Sequence, residues 1–202
     1  GFGHNPGRRL PLPETMNETV ESPRLPQLEH LGDATQHAAR IHAMVGYAPL
    51  FEQFSLAEIR LLGHFMQTYR AQAGQDIIRE GEAGDFMMLM VEGRVEVFKQ
   101  DRWNTPRLIA VVEDGKTLGE MSMIDGEPRF ATCVAVEPSL IAVLSRDALA
   151  LIILEQPMLG AKILMQLAVM LSQRLRQTSM RLVEFVDKQR ELSDQVPGPS
   201  FV

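Results

Sequence analysis

Residues 84–98 read GDFMMLMVEGRVEVF, two short apolar runs joined by a Glu-Gly turn signal. The same arrangement recurs between Arg70 and Ser145, where short runs rich in apolar and β-branched residues alternate with turns. The runs occupy residues 77–78, 86–91, 95–98, 108–112, 132–136 and 140–144. Short strands at regular spacing, closed by glycine turns, predict a compact antiparallel barrel, roll or sandwich.

Helical patterns flank this central region on both sides. Apolar residues between positions 28 and 69 follow a helical period, and Ser55 precedes Glu58 by three residues, the spacing of a capping box. Helix returns after Arg146 and is interrupted at Pro157, which leaves a long predicted helix over residues 159–192. The sequence therefore predicts a mainly β fold with flanking helices.

The 202 residues suffice for one ordinary domain with accessory helices. The first segment is rich in proline and poor in large apolar side chains, so we expect it to be a flexible tail. We expect this tail at residues 1–27, followed by N-terminal helices at residues 28–69 and the β region at residues 70–146. The C-terminal helices are expected at residues 147–192 and a second tail at residues 193–202.

The predicted long helix carries a narrow apolar stripe. Its members alternate four and three positions apart, as the a and d residues of a coiled coil do. They are Leu164, Ala168, Leu171, Leu175, Thr178, Leu182 and Phe185. Soluble monomers avoid exposing a continuous apolar seam, so we expect a homodimer formed through residues 161–192.

Composition narrows the class of function. The formal net charge is -6, whereas a domain that grips nucleic acid is usually basic. Cys133 is the only cysteine, which excludes an internal disulfide and favours a reducing compartment. The longest apolar run, at residues 148–154, is too short to cross a bilayer. We therefore expect a cytoplasmic protein that neither enters a membrane nor binds DNA directly.

Residues 118–132, which read LGEMSMIDGEPRFAT, carry the chemistry. Gly119 permits close approach of a ligand and opens a short helical turn whose free N–H groups attract anions. Glu120 can accept hydrogen bonds from a ligand hydroxyl. Arg129 follows Gly119 by ten residues, and its guanidinium can reach back over the turn to bind a phosphate. Together these groups meet the needs of a ribose phosphate.

This segment resembles the phosphate-binding cassette of the cyclic-nucleotide-binding domain family, which includes cAMP-dependent protein kinase regulatory subunits and bacterial cAMP receptor proteins. The resemblance implies a jelly-roll-like antiparallel β-roll followed by a long dimerisation helix. It also implies that Glu120 binds the ribose 2′-hydroxyl and Arg129 the cyclic phosphate. Backbone N–H groups around Gly119, Glu120 and Ala131 would complete the cradle, and Met121 and Ser122 belong to the same ligand-binding segment.

Two further features bear on the choice of ligand. The residue after the arginine is small in the family but is Phe130 here, so a hydroxyl that could help bind guanine is absent. This favours cAMP over cGMP. Thr178 and Ser179 resemble the pair that faces the adenine amino group in the dimer helix of the bacterial receptors. The alternative for Thr178 is a polar residue tolerated in a coiled-coil seam.

No catalytic constellation is evident, and we expect a regulatory sensor rather than an enzyme. All five histidines precede the β region, which argues against a metal site built on its strands. Only residues 193–202 follow the long helix, too few for a helix-turn-helix. The sensor would then signal through an unknown downstream protein. The alternatives are the sensing part of a transcription regulator that acts on DNA when full length, and a degenerate sensor that binds nothing.

Overall fold

The computed structural model describes residues 24–194, with side chains as far as Glu191. Nine strands form its β region: β1 Glu29–Asp33, β2 Gln67–Ala71, β3 Asp76–Ile78, β4 Phe86–Glu92, β5 Val95–Gln100, β6 Pro106–Val112, β7 Thr117–Leu118, β8 Thr132–Ala135 and β9 Ser139–Ser145. The α-helices are α1 Ala38–Ala43, α2 Leu56–Gly63, α3 Glu120–Asp125, α4 Arg146–Glu155 and α5 Pro157–Asp194. Short 3-10 turns lie at Leu25–Gln27, Ala34–His37 and Pro49–Phe51.

The strands form two sheets in which all pairings are antiparallel. One sheet has five strands in the order β1-β2-β9-β4-β7, and the other has four in the order β3-β8-β5-β6. Helices cover the outer face of the five-stranded sheet, where they build one core, and a second core fills the space between the sheets. The predicted antiparallel β-roll with flanking helices is confirmed.

Strand β4 is buried on both faces. Met87, Leu89 and Val91 point into the core on the helix side, whereas Phe86, Met88 and Met90 point between the sheets. Successive side chains of a strand alternate between faces, so an uninterrupted apolar run is what a strand between two cores requires. The methionine-rich run is therefore core filling.

The N-terminal region differs from the sequence-based expectation in its strands and in its tail. The segment predicted to be helical, residues 28–69, contains strand β1 and the start of β2, and these two strands pair with each other at the sheet edge. Residues of the expected tail, from Arg24 to Gln27, form a turn on the roll, and the following Leu28 is buried. The rest of that tail, residues 1–23, and positions 195–202 of the second tail lie outside the described residues.

Helix α5 has 38 residues and begins at Pro157, a residue well suited to the first helical turn. Leu159, Ile163, Leu167 and Met170 bury one face of its first half in the helix-side core. The predicted apolar stripe lies on a different face, and its members are exposed except for Leu171, which is partly buried. Leu175, for example, is 68% exposed in the single chain.

Candidate functional site

The short helix α3 lies between two left-handed glycines. Gly119 has φ of +81° and starts the helix after β7, and Gly126 ends it. Any other residue at position 119 would be strained by this angle. A Cβ there would also lie 2.7 Å from Nη1 of Arg129 and 3.0 Å from the carbonyl oxygen of Phe86. Gly119 is thus required by its conformation and by its neighbours.

Arg129 is a buried cation with one unmet donor. Its side chain is 4% exposed, and its guanidinium carbon lies 4.2 Å from the centroid of the Phe86 ring. Nη1 donates to the carbonyls of Phe86 (2.8 Å) and Gly119 (3.0 Å). Nη2 is buried without an acceptor. Burial lowers the pKa of the guanidinium, a sign that its charge is poorly compensated. An anion beside Nη2 would supply both the acceptor and the charge.

The loop before β4 holds Arg129 in place. The N–H of Gly81 donates to the Arg129 carbonyl (2.9 Å), and the N–H of Arg129 donates to the carbonyl of Glu82 (2.8 Å). Gly84 packs so closely against the guanidinium that a Cβ at that position would overlap Nε of Arg129. Gly81 therefore contacts the backbone of Arg129, and Gly84 lies against its side chain.

Glu120 is 2% exposed and is engaged at both carboxylate oxygens. Oε1 contacts the Thr117 hydroxyl, and Oε2 accepts from Nη1 of Arg174 on α5 at 3.1 Å. Nη2 of Arg174 also donates to the Thr117 carbonyl (2.9 Å). A buried carboxylate needs such partners. The sequence reasoning missed Arg174. The available signal was its place one helical turn before Thr178.

The other residues assigned to the cassette occupy varied environments. Ser122 and Ala131 are buried, and Met121 is exposed. Phe130 is 53% exposed, and the amino group of Lys99 lies 4.6 Å from its ring centroid. The ring therefore lies at the surface, against Lys99.

Thr178 and Ser179 lie on the exposed part of α5. Their hydroxyls donate within the helix, to the carbonyls of Arg174 and Leu175, both at 2.9 Å. The single chain thus brings Arg174 to the cassette but leaves the next turn of the helix facing away from any described partner.

Cys133, on β8, is a core residue. Burial raises its pKa to about 12, so its thiol is not a nucleophile at neutral pH. Among residues 24–194, no group of three or more His, Cys, Asp and Glu side chains is arranged to hold a metal ion. The described site therefore offers a buried cation, backbone polar groups around a glycine-led turn and a carboxylate, a set suited to binding a phosphate and a hydroxyl.

Comparison with known proteins agrees with this chemistry. The family model "Cyclic nucleotide-binding domain" matches residues 69–156. A crystal structure of a cyclic nucleotide-binding domain from Methylobacillus flagellatus is 35% identical, with a TM-score of 0.73, and the match covers 93% of this chain and 100% of that one. The chain belongs to the cyclic-nucleotide-binding domain family.

Two curated relatives carry cAMP in their names. The cyclic AMP receptor protein of Thermus thermophilus is 29% identical over 135 residues, 67% of this chain and 61% of that protein. The CRP-like cAMP-activated global transcriptional regulator of Mycobacterium tuberculosis is 25% identical over 139 residues, 69% of this chain and 60% of that protein. The chain thus spans about three fifths of the length of each. None of the helices from Leu25 to Asp194 combines the length and apolar character needed to cross a membrane.

Proposed function

We propose that this chain is a cAMP-binding regulatory sensor without catalytic activity of its own, in which ligand binding is coupled to the long helix α5. The observation that carries the proposal is the buried Arg129 guanidinium. Its Nη1 donates to the carbonyl of Gly119 at the glycine-led turn, and its Nη2 has no acceptor. A cyclic phosphate bears a single negative charge and would satisfy that donor. Backbone N–H groups around Gly119 and Ala131 would bind the remaining phosphate oxygens.

Glu120 supports the assignment of the ribose. Its carboxylate is held rigid by Thr117 and Arg174 and retains lone pairs that can accept from a 2′-hydroxyl. Because Arg174 belongs to α5, the same carboxylate links the ligand to the helix. A ligand that bonds to Glu120 thereby acts on the position of α5, and the helix acts on ligand affinity in return.

The exposed stripe of α5 supports a homodimer through residues 161–192. Leu175, Leu182 and Phe185 are each more than half exposed in the single chain, and a second copy of the helix would cover them. In such a dimer Thr178 and Ser179 would approach the adenine from the helix pair. The Lys99 contact holds the Phe130 ring at the surface, which is compatible with an open purine site.

Isothermal titration calorimetry with cAMP, cGMP, 5′-AMP and adenosine tests the proposal. We expect cAMP to bind most tightly, since the site offers the Arg129 guanidinium for a singly charged phosphate and no hydroxyl at position 130 for guanine. The control ligand 5′-AMP carries the same base and sugar with an open, more highly charged phosphate, and adenosine carries no phosphate. Absence of binding by either cyclic nucleotide would contradict the proposal and favour a degenerate sensor.

The likeness to the mycobacterial regulator favours a second candidate, the cAMP-sensing part of a larger protein that acts on DNA. The chain itself has a net charge of -6, so we expect no specific duplex binding by these residues. Fluorescence anisotropy with duplex DNA at physiological salt tests this, with cAMP present and absent. A sequence-selective complex formed by this chain would contradict the expectation.

A further inference from the structure

A bidentate ion pair connects the segment before β1, residues 24–28, to the loop before β4, residues 81–84. Nη2 of Arg24 lies 2.6 Å from Oε1 of Glu82, and Nε lies 3.1 Å from Oε2. The side chains are only 15% and 25% exposed. This contact lowers the pKa of Glu82 and raises that of Arg24. A bidentate, partly buried pair is the kind of surface ion pair that has a measurable effect.

Glu82 is one backbone hydrogen bond from the phosphate-binding arginine. Its carbonyl accepts from the N–H of Arg129, and the adjacent Gly81 donates to the Arg129 carbonyl. The loop therefore brackets Arg129 from both sides, and Gly84 of the same loop packs on the guanidinium. Any shift of the loop moves the backbone that carries Arg129.

Apolar side chains of the segment pack on the roll. Leu28 is buried, at 6% exposure, and the partly buried Leu25 packs against the same core between the sheets. Cavities of about 450 Å³ and 330 Å³ lie along the segment, one lined in part by Leu25 and Pro26 and the other by Arg24 and Gln27. Open space beside a segment lowers the free-energy cost of its local opening, so the bidentate ion pair contributes to keeping these residues on the roll.

We propose that Arg24 is a positioning residue for Arg129. By holding Glu82, it keeps the loop at residues 81–84 in the arrangement that aims the Arg129 guanidinium at the phosphate. Coupling of this kind is reciprocal, so a bound cyclic nucleotide also tightens the attachment of residues 24–28. The inference rests on the proposed cyclic-nucleotide site.

The test compares cAMP affinity in Arg24→Ala, Glu82→Gln and the double variant with the wild type. We expect the dissociation constant to rise about fivefold in each single variant, and no further in the double variant, because both lose one shared interaction. Arg24→Lys, which keeps the positive charge but cannot form the bidentate contact, should keep part of the cAMP affinity that Arg24→Ala loses. Arg40→Ala is the matched control, because Arg40 forms an exposed ion pair with Glu92 away from Arg129.

Two readouts separate positioning from a general loss of stability. In the Arg129→Lys background, Arg24→Ala should have less effect on affinity, since the group it positions is altered. Amide hydrogen exchange at residues 25–30 should slow when cAMP is added to the wild type and change little in Arg24→Ala. Equal cAMP affinity in the wild type and in Arg24→Ala would overturn this inference and leave the proposed function intact. A wild type that binds no cyclic nucleotide overturns the proposed function as well.

Discussion

Arg174 and Glu120 form an ion pair between the long helix and the cassette, with Nη1 3.1 Å from Oε2 across 54 positions of sequence. The carboxylate is buried, whereas the guanidinium is 42% exposed. Arg174 thus compensates a charge that would otherwise be costly to bury, and does so from the helix that carries the exposed stripe. Glu120, the acid that we propose binds the ligand, and the proposed dimer helix are parts of one network.

The first prediction concerns Arg174→Ala. Loss of a charge-assisted hydrogen bond to a buried carboxylate typically costs about 1.5–3 kcal/mol, so cAMP affinity should fall by about tenfold to a hundredfold. The loss should be smaller for 2′-deoxy-cAMP, which lacks the 2′-hydroxyl that we propose donates a hydrogen bond to Glu120. Calorimetry with both ligands measures the difference. Arg176→Ala, at an exposed position two residues further along, is the control and should bind cAMP normally.

The second prediction concerns Arg129→Ala. Removing the cation from a partly dry phosphate site typically costs about 2–5 kcal/mol, or roughly thirtyfold to several thousandfold in affinity. Arg129→Lys keeps the positive charge but loses the planar, two-pronged guanidinium. Its cAMP affinity should lie between that of the wild type and that of Arg129→Ala. Arg79→Ala, whose side chain pairs with Asp76 at the surface, is the control. Near-wild-type binding by a folded Arg129→Ala protein would refute the assignment of the phosphate site.

The third prediction concerns the purine. Thr178→Ala combined with Ser179→Ala should weaken cAMP binding and narrow the preference for cAMP over cGMP. Each lost hydrogen bond is worth about 0.5–1.5 kcal/mol, or roughly twofold to twelvefold in affinity. Both hydroxyls now bond within α5, so their removal should leave the melting temperature almost unchanged. Competition titrations with the two nucleotides provide the measurement. If the preference for cAMP over cGMP is unchanged, Thr178 and Ser179 do not contact the purine and belong only to the helix-pairing surface of α5.

The fourth prediction concerns dimerisation. Sedimentation velocity should show a dimer of the wild type, and Leu175→Glu should produce monomers because like charges would meet in the seam. Gln173→Glu is the control: it adds the same charge on α5 at an exposed position off the stripe. A wild-type monomer that binds cAMP normally would separate the ligand site from dimerisation.

The fifth prediction concerns pH. A hydrogen bond from Lys162 on α5, together with bonds from Ser55, lowers the pKa of Glu58 to about 2 from 4.5. A carboxyl with a lowered folded-state pKa stabilises the fold above its unfolded pKa, and that stabilisation is lost as pH falls through the folded value. The urea midpoint of the wild type should therefore drop more between pH 5 and pH 3 than that of Glu58→Gln, with Glu127→Gln as an exposed control. Parallel pH profiles for the wild type and Glu58→Gln would contradict this.

Local patterns predicted those parts of the fold that local physics determines. The Ser55–Glu58 capping box is present with both reciprocal hydrogen bonds, and the apolar runs became strands at their expected places. Strand β1 was missed because an edge strand with the sequence EHLGD buries no alternating face. Its pairing with β2 is a tertiary contact that no window of sequence displays.

The candidate site divides in the same way. Gly119, Glu120 and Arg129 all lie within residues 119–129, so they could be recognised from the sequence as one phosphate-binding and hydroxyl-binding set. Arg174 reaches the same carboxylate from α5, and Arg24 acts on the loop beside Arg129 from the opposite end of the chain. Such partners follow from how the helices and the N-terminal segment pack on the roll, which the spacing of residues alone does not specify.

The burial of β4 on both faces has a practical consequence for spectroscopy. Met87 contributes its methyl group to the core beneath the helices, whereas Met88 and Met90 contribute theirs to the space between the sheets. With ¹³C-labelled methionine, neighbouring residues of one strand become separate sensors of the two interiors. Their resonances can then distinguish a perturbation that stays within the roll from one transmitted to the helical layer, without introducing a foreign probe.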